Sequence, residues 1–217
     1  PLLTSGTLRD VIELHRKSRA AVTLITAQAD DPFGYGRVVR GKTGVMRVVE
    51  EKDATAAQKK IKEVNAGIYC FDPKFLLSSL DRLGKNNAQG EYYLPDTIEL
   101  ARKKKRGVAA LRCPEPDEVM GVNSRVDLSR AEAVLRRRIN GRWMAEGVTM
   151  LDPGTTFAGT GVSLGRDVVL YPNVRIEGNT KIGDGSIVGI QNRILLVAPR
   201  DMEPGRGAWC PPPAGCY

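Results

Sequence analysis

The chain has 217 residues, 41% of them hydrophobic, and a formal net charge of +8. That length and apolar content allow one sizeable core, or one domain with part of a second. No apolar run reaches membrane-spanning length and no basic, apolar, small-residue leader opens the sequence, so the expectation is a cytoplasmic protein without membrane association.

In chain order, the patterning predicts a helix over 5–18, strands over 20–26, 45–50 and 64–71, helices over 73–83 and 95–104, and a strand over 107–113. Alternating helical and strand patterns of this kind favour an α/β sheet covered by helices. Ala20 to Thr26 lacks polar alternation, as expected of a strand buried on both faces. Asp72-Pro73 is a good helix opening, because aspartate can cap and proline suits the first turn, and Pro95 opens the next helix in the same way. From Ser124 the pattern becomes helical, with a weak capping box Ser124-x-x-Asp127 and apolar residues at Leu128, Ala131, Leu135 and Ile139. Gly141 is expected to loosen the later part of this helix, and Pro153-Gly154 to mark its exit.

Residues 162–189 carry a six-residue beat, with Leu164, Leu170, Ile176, Ile182 and Val188 evenly spaced. This spacing suits a hexapeptide β-helix, in which one apolar side chain per short strand points inward and glycines ease the corners. After Ile190 the beat is expected to stop. The tail 191–217, with Pro211-Pro212-Pro213 and two cysteines, is expected to be disordered.

Cys70, Cys113, Cys210 and Cys216 show no paired short spacing, and His15 is the single histidine, which argues against a thiolate metal site. His15 falls on an amphipathic segment beside Val11, Ile12 and Leu14 and reads as a surface or half-buried helix residue, not a catalytic one. The basic runs Arg102 to Arg106 and Arg136 to Arg138 invite a nucleic-acid reading. Their placement, one at a helix C-terminus and one opposite apolar helix positions, favours solvated faces and no nucleic-acid partner.

Three segments carry the chemistry: Asp31-Pro32-Phe33-Gly34-Tyr35-Gly36-Arg37, Val49-Glu50-Glu51-Lys52-Asp53-Ala54-Thr55, and Glu63-Val64-Asn65-Ala66-Gly67. Gly34 and Gly36 flank an aromatic in a turn, where missing side chains let the backbone approach a ligand. Glu50 and Asn65 punctuate apolar runs, so both could project from strand ends toward a shared cleft. A carboxylate can accept two sugar hydroxyls and an amide can donate and accept, which makes the set a candidate sugar pocket.

With Asn86-Asn87-Ala88-Gln89-Gly90-Glu91-Tyr92-Tyr93 and Gly121-Val122-Asn123-Ser124-Arg125, these motifs stand in family order. Over residues 1 to about 190 the chain closely resembles the bacterial bifunctional N-acetylglucosamine-1-phosphate uridyltransferase and glucosamine-1-phosphate acetyltransferase, the GlmU family. The resemblance implies a nucleotide-diphospho-sugar transferase, Rossmann-like partial domain over 1–123, a helical linker over 124–147 and the start of a left-handed parallel β-helix over 148–190, with 191–217 unmatched. It implies joining of UTP to N-acetylglucosamine 1-phosphate, giving UDP-N-acetylglucosamine and pyrophosphate, coupled in the complete enzyme to acetyl-CoA-dependent acetylation. By the same resemblance the Gly36 backbone, Glu50 and Asn65 contact the sugar, while Asn123 lies near sugar and Mg2+ as the metal's amide ligand. Ala66 and Pro95 stand where the family often has threonine.

Of the family's Gly-Asp-x-Pro-Leu metal motif, Pro1-Leu2 remains, and the glycine-rich phosphate loop belongs upstream. The expectation is an internal fragment, inactive alone, retaining no confident catalytic residue. Family members form homotrimers, an assembly not expected of this chain. The alternatives are a non-catalytic sugar-nucleotide binding or interaction fragment, and a hexapeptide-repeat structural protein, which leaves the ordered Glu50, Asn65 and Asn123 unexplained.

Overall fold

A computed structural model describes residues 2–190 and 193–196 of the chain. It divides into two compact units, Pro1–Ala131 and Glu132–Tyr217. The division falls eight residues beyond the boundary expected at 123/124, because the connecting helix contributes to both units.

In the first unit, helix α1 (Ser5–Ser18) is capped by Thr4, whose side chain accepts the Thr7 N–H at 3.2 Å, and it ends at Arg19 in the left-handed region. Strand β1 (Val22–Gln28) follows, then β2 (Arg37–Gly41), β3 (Gly44–Val49), the single-turn helix α2 (Ala56–Lys59) and β4 (Glu63–Phe71). Helices α3 (Pro73–Leu80) and α4 (Asp96–Lys103), strand β5 (Val108–Arg112) and a 3-10 turn at Pro116–Val119 complete it. The five-stranded sheet has the order β3-β2-β4-β1-β5; β1 and β5 run parallel and the other pairs antiparallel.

The expected strand buried on both faces is β1, shifted two residues along the chain: Leu24 packs with Val38, Val45, Phe75 and Ile98, while Ile25 packs with Val11, Ala27, Val64 and Cys113. Asp72 caps α3 as expected, accepting the Phe75 N–H at 2.8 Å, although the helix stops at Leu80 rather than 83. Sequence patterning missed β2 and α2. The first has arginines within a five-residue span, and the second is one turn set by a Thr55–Gln58 capping box.

Helix α5 (Arg125–Ala145) begins with the anticipated box: Ser124 Oγ accepts the Asp127 N–H at 3.1 Å and donates to Asp127 Oδ2 at 2.7 Å. Helix continues through Gly141, contrary to the expected loosening. Nearby, Asn140 Nδ2 donates to the Pro153 and Thr156 carbonyls, both at 2.9 Å, and Trp143 is buried in the second core, so side chains on either side of Gly141 pin the turn. The expected apolar stripe holds in part: Ala131 is buried and Ile139 packs against the second-unit core, whereas Leu128 and Leu135 are exposed. Arg136 is not a solvated charge; it lies 4.5 Å from the Phe157 ring centroid and 3.3 Å from Glu132.

In the second unit the strands are short: β6 (Thr149–Met150), β7 (Phe157–Ala158), β8 (Ser163–Leu164), β9 (Val169–Leu170), β10 (Arg175–Gly178), β11 (Lys181–Ile182), β12 (Ile187–Val188) and β13 (Arg193–Leu196). They form three parallel sheets, β12-β9-β6, β13-β10-β7 and β11-β8. Residues eighteen apart lie opposite one another, as in Leu164 with Ile182, Leu170 with Val188 and Ile176 with Ile194. Leu164, Leu170, Ile176 and Val188 are buried with Val168 and Val174 in one core, and Ile182 and Ile194 pack against it.

The expectation that the beat ends at Ile190 is therefore corrected for 193–196: β13 pairs with β10, and Ile194 takes the next place in the series. The remaining tail, 191–192 and 197–217, for which disorder was expected, lies outside the described residues.

Candidate functional site

The candidate pocket is built by strand register. Arg37 opens β2 and lies opposite Val49 on one side and Val64 on the other. The residue before Arg37 is Gly36, and the residues after its two partners are Glu50 and Asn65. Antiparallel pairing thus sets Glu50, Gly36 and Asn65 along one row across three strands. The Asn65 N–H donates to the Gly36 carbonyl at 2.8 Å, and a Cβ on Gly36 would come within 3.0 Å of Glu50 Oε1 and 2.8 Å of Val48 Cγ1. Glycine is needed here for close approach, and the row is one residue beyond the end of β3.

Electrostatically the row is acidic and half-buried. Burial pushes the Glu50 carboxyl above the ordinary carboxylate range; Asp53 and then Asp96 add to the rise, and the Arg37 guanidinium opposes it. Asp96 is raised as well, by burial, then by Glu99 and Asp53. Asp53 joins two motifs: its carboxylate accepts the Ala88 N–H at 2.8 Å and the Tyr93 hydroxyl at 3.2 Å, which ties the Asn86 to Tyr93 segment to the one following β3.

Arg37 lies beneath the turn that carries Gly34 and Gly36. It is 2% exposed, donates to the Tyr35 carbonyl, and meets Glu51 Oε2 at 2.5 Å. Glu51 also accepts the Gly34 N–H at 3.3 Å and approaches Lys59 Nζ at 3.4 Å. Gly34 has φ +81, a value glycine adopts without strain. Sequence reading quoted Arg37, Glu51 and Asp53 without giving them roles; the signal available was an arginine set inside an apolar strand pattern, which requires a buried partner.

Asn123 is exposed and lies outside this row. Its backbone N–H donates to Asp127 Oδ2 at 3.2 Å. It is linked to the turn through Gly121, whose N–H donates to Tyr35 Oη at 3.1 Å and whose missing Cβ would lie 3.4 Å from Asn123 Nδ2. The structure therefore brings Gly36, Glu50 and Asn65 together and connects Asn123 to Tyr35, the neighbour of Gly36, by way of Gly121. Among the described residues no group of three or more His, Cys, Asp or Glu could hold a metal ion. Asn123 can offer one neutral oxygen to magnesium, which does not amount to a magnesium site by itself.

Two cavities are lined by residues other than Gly36, Glu50 and Asn65, one of them bordered by Asp96. One of about 190 Å³ is lined by Arg136, Phe157 and Arg175 in the second unit. The other, of about 310 Å³, lies between Arg82–Gly84 and Asp96–Lys103. His15 is half-buried as expected, with Nδ1 2.8 Å from Thr23 Oγ1.

Residues 2–114 match the nucleotidyl transferase family, more than half of the chain. The chain belongs to that family. Its resemblance to the bifunctional GlmU proteins, read from the motifs, holds over 87–90% of its length. It is 47% identical over 190 residues to the bifunctional protein GlmU of Halalkalibacterium halodurans, covering 87% of this chain and 42% of that protein. It is 45% identical over 196 residues to that of Pediococcus pentosaceus, covering 90% and 42% respectively. For Exiguobacterium sp. the identity is 50% over 200 residues, covering 90% and 44%. This nucleotidyl transferase chain thus spans less than half the length of these curated relatives. No helix among its described residues is long and apolar enough to cross a membrane.

Proposed function

We propose that the chain supplies the acceptor side of a uridyltransferase that joins UTP to N-acetylglucosamine 1-phosphate, giving UDP-N-acetylglucosamine and pyrophosphate. The observation that carries this reading is the row Glu50–Gly36–Asn65, set by pairing of three strands. In the proposed complex Glu50 accepts sugar hydroxyls, Asn65 donates and accepts, and the bare Gly36 backbone lets the ring lie close. A phosphate oxygen of the sugar phosphate attacks the α-phosphorus of UTP, and pyrophosphate leaves; the row orients the attacking group for in-line displacement. Magnesium, to which Asn123 would contribute one oxygen, supplies charge neutralisation when bound.

The remaining finer assignments belong to the same proposal. The short parallel strands of the second unit are the start of a left-handed hexapeptide β-helix, part of an acetyl-CoA-dependent acetyltransferase half. The complete proteins work in the cytoplasm as homotrimers, without nucleic-acid partners. A sugar-nucleotide binding or interaction fragment is the reading left if transfer fails.

The test is a chimera in which residues 1–190 replace the matching segment of the Halalkalibacterium halodurans protein. UTP-dependent pyrophosphate release is expected, with Glu50→Ala and Asn65→Ala each raising KM for the sugar phosphate about tenfold and leaving KM for UTP nearly unchanged, as loss of a hydrogen bond to substrate predicts. Unchanged sugar-phosphate kinetics in both variants would reject the pocket.

A further inference from the structure

We infer that Tyr69 is a positioning residue of the acceptor pocket, its buried hydroxyl set beside the Asn65 side chain and poised to hold it against a bound sugar. The inference rests on the proposed sugar-binding role of that row and adds to it a residue that touches no ligand.

Strand β4 carries an irregularity that creates this neighbourhood. On β1, Thr26 lies opposite Asn65 and Leu24 lies opposite Tyr69, so two steps on β1 match four on β4. The additional residues bulge out at Ala66, Gly67 and Ile68; Gly67 has φ +73, and its N–H donates to Asn65 Oδ1 at 3.0 Å. In regular pairing Gly67 would occupy the place beside Asn65 on the same face. The bulge puts Tyr69 there instead, about 7 Å along the strand, a separation a tyrosine side chain can span.

The hydroxyl that arrives there is in an unusual state. Tyr69 Oη is buried and forms no hydrogen bond of ordinary geometry. Burial pushes its ionisation well up, while the neighbouring Asn65 side chain and the Glu50 charge both act on it, so it lies within the influence of the two polar side chains of the row. The ring itself is held by packing against Phe71, with centroids 5.6 Å apart. A buried hydroxyl left unsatisfied costs stability. Its retention beside Asn65 fits a group that completes its hydrogen bonding when Asn65 and Glu50 close on a sugar.

Tyr69→Phe removes the hydroxyl and keeps the ring, which separates positioning from packing. In the full 217-residue chain, the variant should melt at the same temperature as the parent or higher, because an unsatisfied group is lost. The Asn65 side-chain amide signals in a nitrogen-correlated NMR spectrum should nevertheless shift in the absence of ligand. Titrated with N-acetylglucosamine 1-phosphate, the variant should bind about five- to tenfold more weakly than the parent, the loss expected when one hydrogen bond is removed from the oriented state.

Unmoved Asn65 amide signals, or parental affinity in Tyr69→Phe, would overturn the inference. A parent chain that takes up no sugar phosphate while the amide signals still shift would count against the sugar-binding reading and leave Tyr69 as the group that orients Asn65. Lower stability with unchanged affinity would assign the hydroxyl to packing and also reject the proposal.

Discussion

Glu50 is a half-buried acid whose burial, reinforced by Asp53 and Asp96, raises its ionisation above the usual carboxylate range. An acid raised in the folded state opposes folding while it is ionised, and that penalty is relieved as pH falls through its raised folded value. Glu50→Gln should therefore stabilise the chain at neutral pH, with the gain disappearing in mild acid, as urea midpoints at both pH values would read. Ligand affinity should move the other way: the advantage of the parent over Glu50→Gln for N-acetylglucosamine 1-phosphate should vanish on acidification, beginning above the ordinary range. Arg37 gives a larger effect, because its side chain is 2% exposed while Glu51 is 17% exposed. Arg37→Met should lower the urea midpoint, because the Tyr35 carbonyl and Glu51 both lose the guanidinium that ties the turn to β2, while Glu51 keeps Lys59 and solvent. A loss within experimental error would mean that the turn holds without the pair.

At the scale of elements, the sequence disclosed what periodicity encodes. The apolar run before Gln28 became a strand with both faces covered, Asp72-Pro73 opened a helix, and the six-residue beat became short paired strands. It disclosed the row Glu50–Gly36–Asn65 as a set of motifs, but not its geometry, because register depends on which strands pair and β2 was too short and too charged to be read as a strand. The bulge in β4 was likewise hidden, since Ala66-Gly67 in an apolar run does not say where the additional residues go. Gly67 offers a direct measurement of it. A Cβ there would meet nothing within 4 Å, yet φ is +73, so Gly67→Ala carries backbone strain without a clash. About 1–2 kcal/mol of destabilisation is expected. A stability equal to the parent would mean that the bulge reshapes freely.

For the whole molecule, the apolar cluster of the second unit is separate from the two that flank the sheet of the first, which implies two separable stabilities. The second unit depends on stacking: each short strand offers one inward side chain, and a row is buried when a neighbour lies over it. Exposed Ile187 on β12, 71% accessible, shows how much apolar surface such narrow strands leave outside. Its edge is accordingly sensitive. Ile194 continues the row through Ala158 and Ile176, so the strand that sequence reading assigned to an unstructured tail is part of the packing. Ile194→Asp would place a charge against that core, at a cost of several kcal/mol unless the strand detaches. The two cases are distinguishable by calorimetry of the full chain. If β13 is integral to the stack, the substitution should lower the transition of the second unit and leave that of the first, with its own sheet and core, in place. A calorimetric trace identical to the parent would show that the stack ends at β12 in solution, and a shift of both transitions together would show that the units unfold as one.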